Sequence, residues 1–141
     1  MIKRLRTGDI VRARVKTKPF IFHVGIVVEE DDGVYVWHNI PDEYNSDGGN
    51  VVKCSIDDYL ANRIITYVVS TGLAKEQIEQ AAQSLSHEKF SWWRNNCECF
   101  VNEVRYGFKS SPQQTWWIFA VGVVSAWGLA YYVFGHKKSG A

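Results

Sequence analysis

Cys97 is the residue of this 141-residue chain best suited to act as a nucleophile. Asn95 or Asn96 can cap a helix that begins at the cysteine, and Glu98 suits the positive end of that helix. A cysteine attacks as its thiolate, which a helix N-terminus favours. Apolar residues follow Cys97 at helical spacing, namely Phe100, Val101, Val104 and Phe108. We therefore expect the thiol to face a protein core.

Two histidines could serve the thiol as a base and an orienting group. His23 and His38 lie in apolar runs that we read as the two strands of a hairpin, joined by an acidic turn. Side chains alternate along a strand, so a turn centred on Glu30-Asp31 or on Asp31-Asp32 puts both histidines on one face. They would then be opposite or diagonal, about 5–8 Å apart between Cα atoms, and within reach of a shared hydrogen bond.

Cysteine chemistry uses an imidazole that takes and returns a proton, and a third polar group that orients the imidazole. Cys97, His23 and His38 supply these types. The same three residue types can bind zinc. The chain has no CxxC or HxxxH spacing and no evident fourth ligand, so we expect no metal.

The overall composition argues against two classes of protein. The formal net charge is +1, which gives no indication of nucleic-acid binding. Three cysteines make an odd number without framework spacing, so we expect reduced thiols in the cytoplasm rather than a secreted disulfide scaffold. No apolar segment follows the basic N-terminal residues, and we therefore expect no signal peptide.

An uncharged segment from Thr115 to Phe134 has the length of a transmembrane helix. Aromatic residues occupy both of its ends, as they do at membrane interfaces: Trp116, Trp117, Tyr131 and Tyr132. A short basic tail with Lys137 and Lys138 follows. We expect a single-pass C-terminal anchor that leaves the preceding domain in the cytoplasm.

The chain thus divides into a catalytic domain at 1–112 and an anchor with its basic tail at 113–141. Gly122, Ala126 and Ala130 form a row of small residues in the anchor, which leaves open a weak homodimer through this helix.

The remaining patterns indicate an α+β domain. We predict strands beginning at Ile10 and spanning 20–28, 34–40, 51–55 and 64–70. We expect the strand at 20–28 to be buried. A helical turn capped near Ser55, a helix over 73–86 and the helix that begins at Cys97 complete the prediction.

The segment Asn96-Cys97-Glu98-Cys99-Phe100-Val101-Asn102-Glu103-Val104-Arg105-Tyr106-Gly107 resembles the signature NCEHFVNELRYG of the lecithin:retinol acyltransferase-like family. The resemblance extends to Gly8-Asp9-Ile10, to His23 in HVGIVV, to Trp37-His38-Asn39-Ile40-Pro41 and to the apolar C-terminus. It implies a circularly permuted papain-like fold, related to NlpC-type peptidases. It also implies that Cys97 is the nucleophile, His23 the base and His38 the orienting member.

The activity that this resemblance implies is that of a phospholipase A/acyltransferase without a cofactor. Its partners would be a phospholipid substrate and the bilayer. Cys99 stands where the family usually has histidine, and we interpret it as a packing residue. Two alternatives remain open: an NlpC-like peptidase or amidase that uses the same residues, and a catalytically silent membrane adaptor. We interpret Cys54 as a small apolar residue in a short strand.

Overall fold

The structure, a computed structural model, describes residues 4–41, 51–91 and 95–135. Contacts divide the chain into two compact units, Met1–Ser110 and Ser111–Ala141. The first unit combines an antiparallel sheet with helices, which confirms the α+β class.

The described part of the first unit contains one antiparallel sheet with the strand order β4-β3-β2-β1-β5. Its strands are β1 (Asp9–Val15), β2 (Lys18–Glu30), β3 (Gly33–Asn39), β4 (Val51–Ser55) and β5 (Arg63–Ser70). Glu30 pairs with Gly33, so the turn between β2 and β3 is centred on Asp31 and Asp32. This is the second of the two turns that the sequence allows.

The described part of this unit also contains the helices α1 (Ile56–Leu60), α2 (Lys75–Leu85) and α3 (Cys97–Tyr106). The Ser55 side chain accepts a hydrogen bond from an amide in the first turn of α1, as its N-cap should. Gly107 ends α3 with a positive φ of 74°, a conformation that glycine adopts without strain. Phe108 therefore lies beyond the helix. It is exposed, and the expectation that it shares the core face with Cys97 is wrong.

The sheet has an apolar core on each of its faces. On one face Val24, Ile26 and Val28 of β2 pack with residues of α2 and α3. On the other face Val27 packs with Val11, Ala13, Val36 and Tyr59. Because β2 is covered on both sides, its sequence is apolar almost without interruption rather than alternating.

The beginning of β2 is an exception to the predicted burial of this strand. Phe20 is 88% exposed, since it follows the turn between β1 and β2, before the part of the strand that the helices cover. Its apolar character therefore did not indicate burial.

The second unit contains the helix α4 (Pro112–Gly135) in its described part. The large side chains at its ends include Trp116, Tyr131 and Tyr132, which are all exposed. Across residues 4–41, 51–91 and 95–135, no helix meets the combined length and hydropathy expected of a membrane span. The side chain of Trp117 and the basic tail with Lys137 and Lys138 lie outside the described residues.

Gly25 allows β2 and β3 to approach each other next to His38. Continuing the pairing of Ile26 with Trp37 by one step puts Gly25 opposite His38. A Cβ atom at Gly25 would lie 2.4 Å from Cγ1 of Val36 and 3.3 Å from Cβ of His38. Because Val36 is fully buried, it has no room to move aside.

We expect Gly25→Ala to lower the free energy of unfolding by about 1–3 kcal/mol, because an added methyl group overpacks this contact. Gly33→Ala is the matched control, since a Cβ atom there would meet nothing closer than 3.9 Å. Urea unfolding of both variants measures the difference. Equal stability of the two variants would contradict the close approach of β2 and β3 at Gly25.

Candidate active site

His23 and His38 form a direct hydrogen bond on one face of the sheet. Nε2 of His23 lies 2.7 Å from Nδ1 of His38, and the two rings meet edge to face. The pairing of Ile26 with Trp37 makes the two histidines diagonal neighbours. This confirms the prediction that they share a face and a hydrogen bond.

Tyr59 of α1 packs against this histidine pair. Its hydroxyl lies 3.0 Å from the carbonyl oxygen of His23 and 3.2 Å from that of Val11, so one proton is shared between two acceptors. Its ring centroid lies 5.6 Å from that of His23 and 5.4 Å from that of His38. Tyr59 is fully buried, and burial raises the pKa of its phenol. The residue therefore fixes the backbone of β2 at His23 and forms one wall of the site.

Cys54 of β4 contacts the other side of His38. Its Sγ lies 3.2 Å from Nε2 of His38, so the second ring nitrogen of this histidine also has a partner. Cys54 pairs with Val36, which places it diagonally to His38 on the same face of the sheet. Cys54 packs against the apolar core on this face, as the sequence interpretation expects, and its sulfur in addition contacts a histidine ring nitrogen.

Arg63 brings positive charge to this cluster. One guanidinium nitrogen donates a hydrogen bond to the carbonyl oxygen of Tyr59, at 2.6 Å, and the guanidinium lies over the Tyr59 ring. Burial lowers the pKa of His38 to about 4, and the charge of Arg63 contributes to this shift. Burial, His38 and Arg63 also lower the pKa of His23 well below its usual value. Both imidazoles are therefore neutral at physiological pH.

Cys97 begins α3, as the sequence predicts. The side chain of Asn96 caps the helix by accepting a hydrogen bond from the amide of Cys99, at 2.9 Å. The backbone amides of Val24, Glu98 and Cys97 itself act on the thiol in the direction that lowers its pKa. Burial opposes them and has the larger effect, so the pKa of Cys97 rises to about 11. The thiol of Cys97 is therefore neutral in the resting protein.

The structure places Cys97 beside the strand that carries His23. Val24, whose amide lowers the pKa of the thiol, directly follows His23 in β2. Among the described residues no hydrogen bond joins the side chains of Cys97 and His23, and none occupies Nδ1 of His23. The thiol and the imidazole are thus both neutral, on a helix and a strand that pack against each other.

Two asparagines connect the end of β3 to the start of α3. The side-chain amide of Asn39 donates a hydrogen bond to the carbonyl oxygen of Asn95, at 3.0 Å. The side-chain amide of Asn95 in turn donates to the carbonyl oxygens of Glu88 and Lys89. Both asparagines are buried. They therefore tie the residue after His38 to the segment that precedes Cys97.

Sequence reasoning missed Tyr59, Cys54, Arg63 and Asn39 as parts of the site. Asn39 lies in the stretch around His38 that carries the resemblance, but nothing in that stretch indicates its contact. Tyr59, Cys54 and Arg63 belong to no motif and reach the site through strand register or through the placement of α1. The three cysteines are free thiols. In the described ranges, no three His, Cys, Asp or Glu side chains are arranged to hold a metal ion.

No protein-family model and no curated protein matches this chain. The class of the site is therefore defined by its geometry. It contains two hydrogen-bonded neutral histidines, of which His38 is buried and His23 half-buried, and a buried thiol at a helix N-terminus.

The lowered pKa of His38 makes the folding stability depend on pH. Unfolding returns the imidazole to its usual pKa near 6.5, so the unfolded state binds a proton that the folded state does not. Stability from this group is therefore complete above about pH 6.5 and is lost as the pH falls towards 4. When the pH falls from about 6.5 to about 4.5, we expect the free energy of unfolding to drop in the wild type and to drop on the order of 2 kcal/mol less in His38→Gln.

Urea unfolding at several pH values measures how steeply the free energy of unfolding changes with pH. His87→Gln is the control, because it makes the same substitution at an exposed position. An equal change of slope in both variants would contradict the assignment of this pH dependence to the buried His38.

Proposed function

We propose that this chain is a membrane-anchored thiol phospholipase A/acyltransferase of the lecithin:retinol acyltransferase-like type, with a permuted papain-like fold. It cleaves phospholipid acyl esters through a thioester on Cys97 and transfers the acyl group to water or to an amine or alcohol. One observation carries this proposal: His23 and His38 are joined by a 2.7 Å hydrogen bond, and Cys97 begins the helix α3 that packs against the strand β2, which carries His23.

The order of these residues in the chain supports the permuted fold. The strands with His23 and His38 precede the helix with Cys97, which is the order that the resemblance to this family implies. An arrangement of sheet first and nucleophile helix last also explains why Asn39 and Asn95 are needed to hold the two parts together.

The protonation states favour general-base catalysis over a preformed ion pair. Because Cys97 and His23 are both neutral at rest, proton transfer accompanies the attack. Sγ of Cys97 bonds to the ester carbonyl carbon while Nδ1 of His23 takes the thiol proton. The bond between this carbon and the glycerol oxygen then breaks, and His23 returns the proton to the departing lysophospholipid.

The second half of the reaction reverses these proton transfers. Water, an amine or an alcohol attacks the thioester carbonyl while His23 accepts the proton of the attacking group. The carbon–sulfur bond breaks, and the proton passes from His23 to the sulfur of Cys97. His38 stabilises the His23 imidazolium that forms in each half by accepting its Nε2 proton in a hydrogen bond.

The C-terminal helix is the proposed anchor to the bilayer. Residues 115–134 contain no charge, and large apolar side chains along α4 such as Ile118, Val124 and Leu129 are exposed. Exposed apolar surface of this extent requires an apolar partner, and a bilayer also contains the ester substrate. The aromatic residues at both ends of the helix suit the membrane interface.

Cys97→Ser should abolish formation of the acyl-enzyme, because a serine hydroxyl is a far weaker nucleophile with this buried imidazole. Cys99→Ser is the matched control two residues away, and it should retain most of the activity. The measurement is the release of labelled fatty acid from phosphatidylcholine vesicles at equal thermal stability of the variants. Equal loss in both variants would mean that Cys97 is not the nucleophile.

Deletion of residues 113–141 should reduce activity on vesicles far more than activity on a short-chain, water-soluble ester. Cys97, His23 and His38 all precede the deleted residues, whereas the anchor raises the effective concentration of bilayer substrate. The ratio of the two rates, measured for the full-length and truncated proteins, tests the anchor. An unchanged ratio, with both proteins floating with vesicles, would contradict a role of α4 in substrate access.

A further inference from the structure

Cys54 lies at the end of a hydrogen-bonded chain that runs through both histidines. Its Sγ is 3.2 Å from Nε2 of His38, and Nδ1 of His38 is 2.7 Å from Nε2 of His23. Nδ1 of His23 is the remaining ring nitrogen and has no hydrogen-bond partner among the described residues. The direction in which the protons point along this chain decides what Nδ1 of His23 can do.

Two directions satisfy the same distances, because a neutral imidazole has one donor and one acceptor nitrogen. If the thiol of Cys54 donates to Nε2 of His38, then His38 donates from Nδ1 and His23 carries its proton on Nδ1. That nitrogen then has no lone pair with which to take a proton. If Sγ of Cys54 accepts from Nε2 of His38, then His23 donates from Nε2, and its Nδ1 is a free base.

We propose that Cys54 is a positioning residue: its sulfur accepts the Nε2 proton of His38 and thereby keeps Nδ1 of His23 unprotonated for Cys97. This inference rests on the proposed function, because only the transfer of a proton from Cys97 requires one of the two directions. His38 can accept from His23 throughout the reaction only while its own proton stays on Nε2.

The surroundings of Cys54 keep its sulfur neutral. Burial raises the pKa of this thiol to about 11, and the carboxylate of Asp58 acts in the same direction. A neutral sulfur accepts a hydrogen bond without adding a negative charge that would hold His38 in the protonated form. Among the described residues, the titratable and charged groups that face the two histidines and Cys54 are Tyr59 and Asp58 of α1 and Arg63 of β5, besides the histidines themselves.

The test compares Cys54→Ala with Cys54→Ser in the full-length protein in detergent micelles. The two replacements are similar in size, but only serine provides an acceptor. Cys99→Ala is the control for the loss of a buried thiol elsewhere. Nitrogen-15 chemical shifts of the His38 ring report which nitrogen carries the proton. The rate at which iodoacetamide alkylates Cys97 is followed by mass spectrometry from pH 6 to 9. It reports how readily Nδ1 of His23 takes the thiol proton.

We expect His38 to carry its proton on Nε2 in the wild type and in Cys54→Ser, and Cys54→Ala to shift protons towards Nδ1. Alkylation of Cys97 near neutral pH should be about threefold slower in Cys54→Ala, as for the loss of one weak hydrogen bond. Cys54→Ser should restore most of the rate, and Cys99→Ala should leave the pH profile unchanged.

A wild-type His38 that carries its proton on Nδ1 would overturn the proposal. Identical pH profiles of the wild type and Cys54→Ala would overturn it as well. The expected shifts and rates without any acyl transfer from phosphatidylcholine would support the role of Cys54 and refute the proposed substrate instead.

Discussion

The hydrogen bond between His23 and His38 is the interaction on which the rest of the site depends. It exists only in one register of β2 and β3, because a slip by one residue would send His38 to the opposite face of the sheet. The register is held by the fully buried pair of Val27 and Val36 and by the absence of a side chain at Gly25. The packing of the core therefore sets the geometry of the two imidazoles.

Burial determines the chemistry of this pair as much as its geometry does. It lowers the pKa of both histidines and raises that of Cys97, although the amides at the start of α3 favour the thiolate. At Cys97 the loss of hydration raises the pKa of the thiol by more than the nearby backbone amides lower it. A neutral thiol in a buried site is also protected from oxidation, and it becomes nucleophilic only when a base takes its proton.

Much of this fold could be predicted from the sequence. Alternation placed both histidines on one face, and the cap at Asn95 or Asn96 located the start of α3, because these signals are local. The helical spacing ran on to Phe108, although Gly107 ends the helix. The contact of Cys54 with His38 could not be predicted, since it depends on the pairing of β4 with β3 across a long connection. The neutral state of Cys97 could not be predicted either, because local sequence indicates the helix terminus but not the depth of burial.

The most direct test of the proposed nucleophile is to locate the acyl group itself. Wild-type protein would be mixed with phosphatidylcholine vesicles that carry labelled acyl chains, quenched in acid and digested for tandem mass spectrometry. We expect the label on Cys97 as a thioester that hydroxylamine removes, with none on Cys54 or Cys99. A label on either of these other cysteines, or no labelled cysteine during turnover, would contradict a thioester on Cys97.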